Sequence, residues 1–95
     1  MKTLFVTLKA KDKQAAELIL STLNNLRTLA ATEAGMLKYE IFQSEENALY
    51  YYVRESWENE EALQRHLKTQ QIADLVELSK TALTEMFTVL PLKTL

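Results

Sequence analysis

The residues with the greatest chemical capacity lie in one stretch, ESWENEEALQRHLKT, Glu55 to Thr69, which holds the only tryptophan and the only histidine of the chain. Imidazole is the side chain that changes charge near neutrality without help from its surroundings, and a carboxylate beside it orients the ring for proton abstraction from a phenol or an enediol. His66 and Glu55 are therefore the candidate catalytic residues. Trp57 offers a flat wall for an aromatic ligand, while Tyr39 and Tyr51 offer rings whose hydroxyls can reach a ligand oxygen. Each has a plainer alternative. Glu55 and His66 would equally satisfy one another as a buried hydrogen bond tying helix to sheet. A strand-borne Trp or Tyr serves as well in core packing.

Other chemistries lack their residues. The chain has no cysteine, which removes thiolate nucleophiles, disulfides and thiolate metal sites together. It shows no glycine-rich phosphate loop, no spaced Ser-His-Asp set and no metal-ligand cluster, so neither metal nor cofactor is expected. Net charge is −2 with both signs interspersed, and no basic run is interleaved with aromatics, which argues against a nucleic-acid partner. No segment approaches the ~20 apolar residues of a membrane span. The opening MKTLFVTLKAK is charged too early for a signal peptide, so a cytoplasmic protein with no membrane partner is expected.

The elements that must position these residues can be read from periodicity. Lys2 to Lys9 alternates with Leu4, Val6 and Leu8 on one side, which is a strand pattern. Asp12 is placed to cap a helix from Lys13 to about Ala34, with Ala15, Ile19, Leu23, Leu26 and Ala30 on one face and Ala16, Leu20 and Leu29 widening it. Gly35, the only glycine, marks the helix stop. A second strand follows over Met36 to Gln43, with Leu37, Tyr39 and Ile41 sharing a side. A third runs from Leu49 to Trp57, with Leu49, Tyr51, Val53, Glu55 and Trp57 sharing a side.

Asn59 caps a second helix whose apolar stripe carries Ala62, Leu63, His66 and Leu67 and continues to about Thr84, with a kink near Thr69 to Gln71. Met86 to Leu92 closes the chain as a fourth strand, in which Pro91 marks an edge. The order β-α-β-β-α-β specifies an α+β, ferredoxin-like sandwich: a four-stranded antiparallel sheet with helices on one face, in a single domain over residues 1–95. The other face would carry large apolar side chains, so a homodimer formed through it is expected.

Several of these residues together resemble the antibiotic biosynthesis monooxygenase family of dimeric α+β barrels. That family's pattern has a glycine after the first helix with an aromatic residue four positions on, a Glu-x-Trp closing the third strand, and Ala-Leu-x-x-His in the next helix. Here these are Gly35 with Tyr39, Glu55 with Trp57, and Ala62, Leu63 and His66.

Two departures narrow the expectation. Heme-degrading relatives use a histidine late in the second helix and an asparagine on the first strand; this chain has Asp74, Leu75, Val76 and Glu77 in the former region and no strand asparagine, so heme ligation is not expected. A second histidine common in the family is replaced within Thr69, Gln70 and Gln71, which argues against a two-histidine mechanism. The resemblance implies a cofactor-independent monooxygenase that uses O2 on a small hydroxylated aromatic, with His66 as base, Glu55 as its partner, and Trp57, Tyr39 and Tyr51 against the substrate. An isomerase or tautomerase of a small hydroxy-carbonyl compound, or a dimer that binds without turnover, are the alternatives, because fold alone selects no reaction.

Overall fold

The computed structural model describes all 95 residues. The strands are β1 (Lys2–Lys9), β2 (Met36–Gln43), β3 (Tyr50–Trp57) and β4 (Thr88–Leu92), and the helices are α1 (Lys13–Ala30), α2 (Glu60–Leu67) and α3 (Gln70–Ala82). All strand pairs are antiparallel and the sheet order is β2-β3-β1-β4, the ferredoxin-like α+β arrangement. The expected second long helix is two helices. The chain breaks at Lys68 and Thr69, where the Thr69 hydroxyl turns back to donate to the His66 carbonyl at 2.7 Å. α3 then starts in a new direction.

Strand parity sets the layers. Leu4, Val6 and Leu8 of β1 and Tyr51, Val53, Glu55 and Trp57 of β3 are buried on the helix-covered face, as alternation requires. α1 lays Ala15, Ala16, Ile19, Leu23, Leu26 and Ala30 on them. Full burial of side chains such as Ile19, Leu23 and Leu26 contributes about 1.5–3 kcal/mol each. Leu20 and Leu29, expected to widen this stripe, instead point to solvent. The buried face is narrower than the periodicity suggested, because α1 meets the sheet along a single seam.

The caps hold as local chemistry demands. Asp12 Oδ1 accepts from the Ala15 amide at 2.8 Å, and Asn59 Oδ1 accepts from the Ala62 amide at 2.9 Å. Gly35 does not end α1. That helix stops at Ala30, with Ala31 still in the right-handed region. Gly35 sits at the close of the following turn with φ of 85°, and a Cβ there would lie 2.5 Å from Ala62 Cβ. Its role is to admit α2 to close contact with the turn.

A bulge between Met36 and Lys38 corrects the parity of β2. Met36 pairs with Trp57 and packs on the helix-side core, whereas Leu37, expected to share the side of Tyr39 and Ile41, is turned out and exposed. Tyr39 and Ile41 remain inward, opposite Glu55 and Val53. The fourth strand begins only at Thr88, although Phe87 just before it packs on the core.

The sheet's other face has no cover within the chain. Phe5 stacks on Tyr52 with centroids 5.7 Å apart, and Phe42, Leu90 and Leu92 on the same face are exposed. Between them Arg54 donates twice to Glu40 Oε1, at 2.8 and 2.6 Å. No helix is long and apolar enough to cross a membrane.

Candidate functional site

β3 and α2 bring the chain's histidine, its tryptophan and a buried carboxylate together. Glu55 and Trp57 point to the same side of β3, and the tight turn through Asn59 folds α2 back so that His66, one turn beyond Ala62, meets both. The His66 ring lies on the Trp57 indole with centroids 4.4 Å apart and a 31° tilt. The indole Nε1–H donates to Glu55 Oε1 at 3.1 Å.

The carboxylate that orients His66 is not Glu55. His66 Nδ1 lies 3.0 Å from Glu33 Oε2 and 3.2 Å from Oε1, while Nε2 is 3.7 Å from Glu55 Oε1, beyond hydrogen-bonding range. A carboxylate only accepts, so the proton of a neutral imidazole sits on Nδ1 and Nε2 keeps its lone pair. Nε2 is buried and has no hydrogen-bond partner. Such an orphaned buried atom is uncommon and marks a position that folding alone does not explain.

Glu33 was not singled out from the sequence. It lies in the turn after α1, 33 positions from His66, where no periodicity applies. The usable signal was its place two residues before Gly35, in the same TEAG segment whose glycine lets α2 approach. The turn is also tied to the start of α2, since the Glu58 amide donates to the Gly35 carbonyl at 2.7 Å.

Between helices and sheet lies a cavity of about 390 Å³, within the small-molecule range of about 300–1,000 Å³. Of its 15 lining residues only Tyr39, Glu55 and His66 carry polar side-chain atoms; the others are aliphatic, Phe87 or Pro91. Leu67, Val89 and Pro91 are the exposed members of the lining and set the mouth between β4 and the α2–α3 junction. Two expected ligand contacts do not reach this space. Trp57 stands behind His66 as its backing, and Tyr51 is packed in the core with its hydroxyl 3.3 Å from Gln43 Nε2.

The electrostatics follow from burial. Loss of water raises Glu55 above its ordinary value of 4.5; the Trp57 hydrogen bond and His66 oppose the shift, and Glu33 adds to it. Burial, then the Glu55 and Glu33 carboxylates, push the Tyr39 phenol well above its usual range, so it is a neutral donor. The site thus sets the unpartnered imidazole nitrogen near a neutral phenol and a carboxyl group whose hold on its proton burial strengthens.

A helix-backed antiparallel sheet enclosing an apolar cavity, with a carboxylate-oriented histidine at one end, defines a ferredoxin-like α+β protein with room for a small ligand. The family model for antibiotic biosynthesis monooxygenases matches residues 1–78, and the chain belongs to that family. Among solved structures, PA3566 from Pseudomonas aeruginosa is 26% identical, with a TM-score of 0.88 over 99% of this chain and 93% of that one. A protein named as an antibiotic biosynthesis monooxygenase is 20% identical, with a TM-score of 0.89 over 100% and 99% of the two chains. A Deinococcus radiodurans protein assigned provisionally to the same class is 19% identical, with a TM-score of 0.90 over 99% and 92%. These last two likenesses show the fold alone. No curated protein sequence matches the chain.

Proposed function

We propose that this protein is a monooxygenase that oxidises a small, hydroxylated, quinol-like aromatic with O2, His66 being its general base. The observation that carries the reading is the partnerless Nε2 of His66, on a ring whose other nitrogen is fixed by Glu33, in the wall of an apolar cavity. Membership of the family supports the reaction class.

In this scheme Nε2 takes a phenolic proton and leaves an electron-rich phenolate beside the neutral Tyr39 hydroxyl. The phenolate itself reduces O2. One oxygen atom enters the ring, the other leaves as water with two substrate hydrogens, and the substrate supplies all four electrons as it becomes a hydroxyquinone. The protein's part is to remove the proton, hold the ring and exclude water. Glu33 is a positioning residue, and Glu55, whose pKa burial raises, faces the same end of the cavity.

A base placed in this way is worth roughly 10²–10⁴-fold. The test is oxygen uptake with a panel of hydroquinones: His66→Ala should lose that factor, and unchanged turnover would remove His66 from the mechanism. Homodimerisation through the bare sheet face belongs to the same reading, supported by the exposed Phe42, Leu90 and Leu92 around the Phe5–Tyr52 stack.

One observation favours a second reading, ligand binding without turnover. Nε2 is covered as well as partnerless, so substrate reaches it only if a neighbouring side chain moves. In that case His66→Ala costs on the order of 1–3 kcal/mol of stability and no hydroquinone drives oxygen uptake.

A further inference from the structure

We propose that the cavity selects ligands whose two oxygens sit on adjacent carbons at one end of an apolar body, as in an alkylcatechol or an enediol, over rings with oxygens in para positions. This rests on the reading above that the cavity is the substrate site. It concerns the pattern of oxygens on the ligand, which neither the family nor the fold specifies.

The sheet register carries the argument. Tyr39 and Glu55 face each other across β2 and β3, and the same row continues through Leu4 to Pro91. α2 places His66 over this row, with Nε2 3.7 Å from Glu55 Oε1. The next inward-facing row holds Val53, Val6 and Val89, and beyond it Leu8 is joined by Leu23 and Leu75 from the helices. Every polar side chain of the cavity is therefore at one end, and the residues that line it from the next two rows, Val53, Val6, Val89 and Leu8, are aliphatic.

Once the side chain covering Nε2 moves aside, two atoms 3.7 Å apart can both lie within hydrogen-bonding distance of one ligand oxygen seated off the line between them. The Tyr39 hydroxyl, one register position across from Glu55 and engaged by no other side chain, is then available to the neighbouring oxygen. An oxygen on the far side of the ring falls among Val6, Val53 and Val89, where no side chain can accept or donate. Burying a hydroxyl without a partner lowers affinity by roughly 10- to 100-fold. An alkyl tail in the same place fills the aliphatic rows at no such penalty.

The test uses tert-butylcatechol and tert-butylhydroquinone, isomers that differ only in the position of the second hydroxyl. Calorimetric titration of the intact protein under nitrogen separates binding from turnover. Catechol binding at least roughly tenfold tighter is expected, and its advantage should shrink in Tyr39→Phe. Equal affinities, tighter hydroquinone binding, or no binding of either isomer overturns the proposal; an advantage undiminished in Tyr39→Phe overturns the role given to that hydroxyl.

Oxygen uptake with the same pair distinguishes the two levels. If the catechol preference holds but neither isomer drives His66-dependent uptake, selection stands and oxidation falls. If both isomers are oxidised and bind equally, oxidation stands and selection falls.

Discussion

Replacing Gly35 by alanine should damage both stability and the site, through one geometric cause. The backbone at Gly35 has φ of 85°, where an L-residue costs about 1–2 kcal/mol. The added Cβ would start 2.5 Å from Ala62 Cβ, whereas carbon atoms rest about 3.5–4.0 Å apart. The turn or α2 must therefore yield by about 1 Å or more, an overpacking strain of about 1–3 kcal/mol. The sum is about 2–5 kcal/mol. Because Glu33 is on the turn and His66 on α2, the same displacement stretches their 3.0 Å contact past hydrogen-bonding range.

Urea unfolding followed by circular dichroism measures the first effect, and the nitrogen chemical shifts of the single imidazole report the second. The clash and the φ strain can be separated with Ala62→Gly, which alone costs about 1 kcal/mol as a helical glycine. In the double variant the clash is relieved but the φ strain stays, so the two changes should couple by about 1–3 kcal/mol. A loss below about 1 kcal/mol for Gly35→Ala, or strict additivity with Ala62→Gly, would refute the reasoning.

Three further outcomes follow from the contacts described. Glu55 holds its proton more tightly folded than unfolded, so its contribution to stability is full below its ordinary 4.5 and is lost as pH rises through the raised folded value. Glu55→Gln stays neutral and keeps an acceptor for Trp57, so its stability relative to wild type should climb across that window; a flat difference from about pH 4 to about pH 9 would count against the assignment. Asp12→Ala should cost about 1 kcal/mol by freeing the Ala15 amide, measured by thermal unfolding, with the environment of His66 unchanged. Phe5→Glu sets a charge in the middle of the bare sheet face at a cost of about 3–5 kcal/mol if that face is buried between two copies. Light scattering should then give a dimer for the wild type and a monomer for the variant, and equal masses would dismiss the sheet-to-sheet pairing.

How far the sequence revealed these features depends on the range of the interactions that made them. Period-two alternation located β1 and β2 to the residue and put Glu55 and Trp57 on one side of β3, since parity is a property of the backbone. The Asp12 and Asn59 caps were legible because a cap bonds three residues ahead. Leu37 was misplaced because a bulge adds a residue to one strand without any local composition signal. The break at Thr69 was visible as a kink but not as the start of a separate helix.

The site was partly legible for the same reason. His66, Glu55 and Trp57 lie within one strand-turn-helix unit, so their meeting could be inferred locally. The Glu33 contact joins segments 33 positions apart and depends on how α1 ends and how closely α2 approaches. Nor could parity tell which inward residues line space and which fill it: Tyr51 and Tyr39 both face inward, but only Tyr39 borders the cavity.

The stacking of Trp57 on His66 makes the molecule report on itself by light. The chain's single indole is fully buried against its single imidazole, 4.4 Å between centroids. An excited indole passes an electron to an imidazolium far more readily than to a neutral imidazole, so its emission dims when His66 gains a proton. With one chromophore there is no background from other indoles to subtract. Emission from that indole is therefore an unlabelled optical report on the environment of the proposed base, and a molecule that settles beside that ring shifts the same signal.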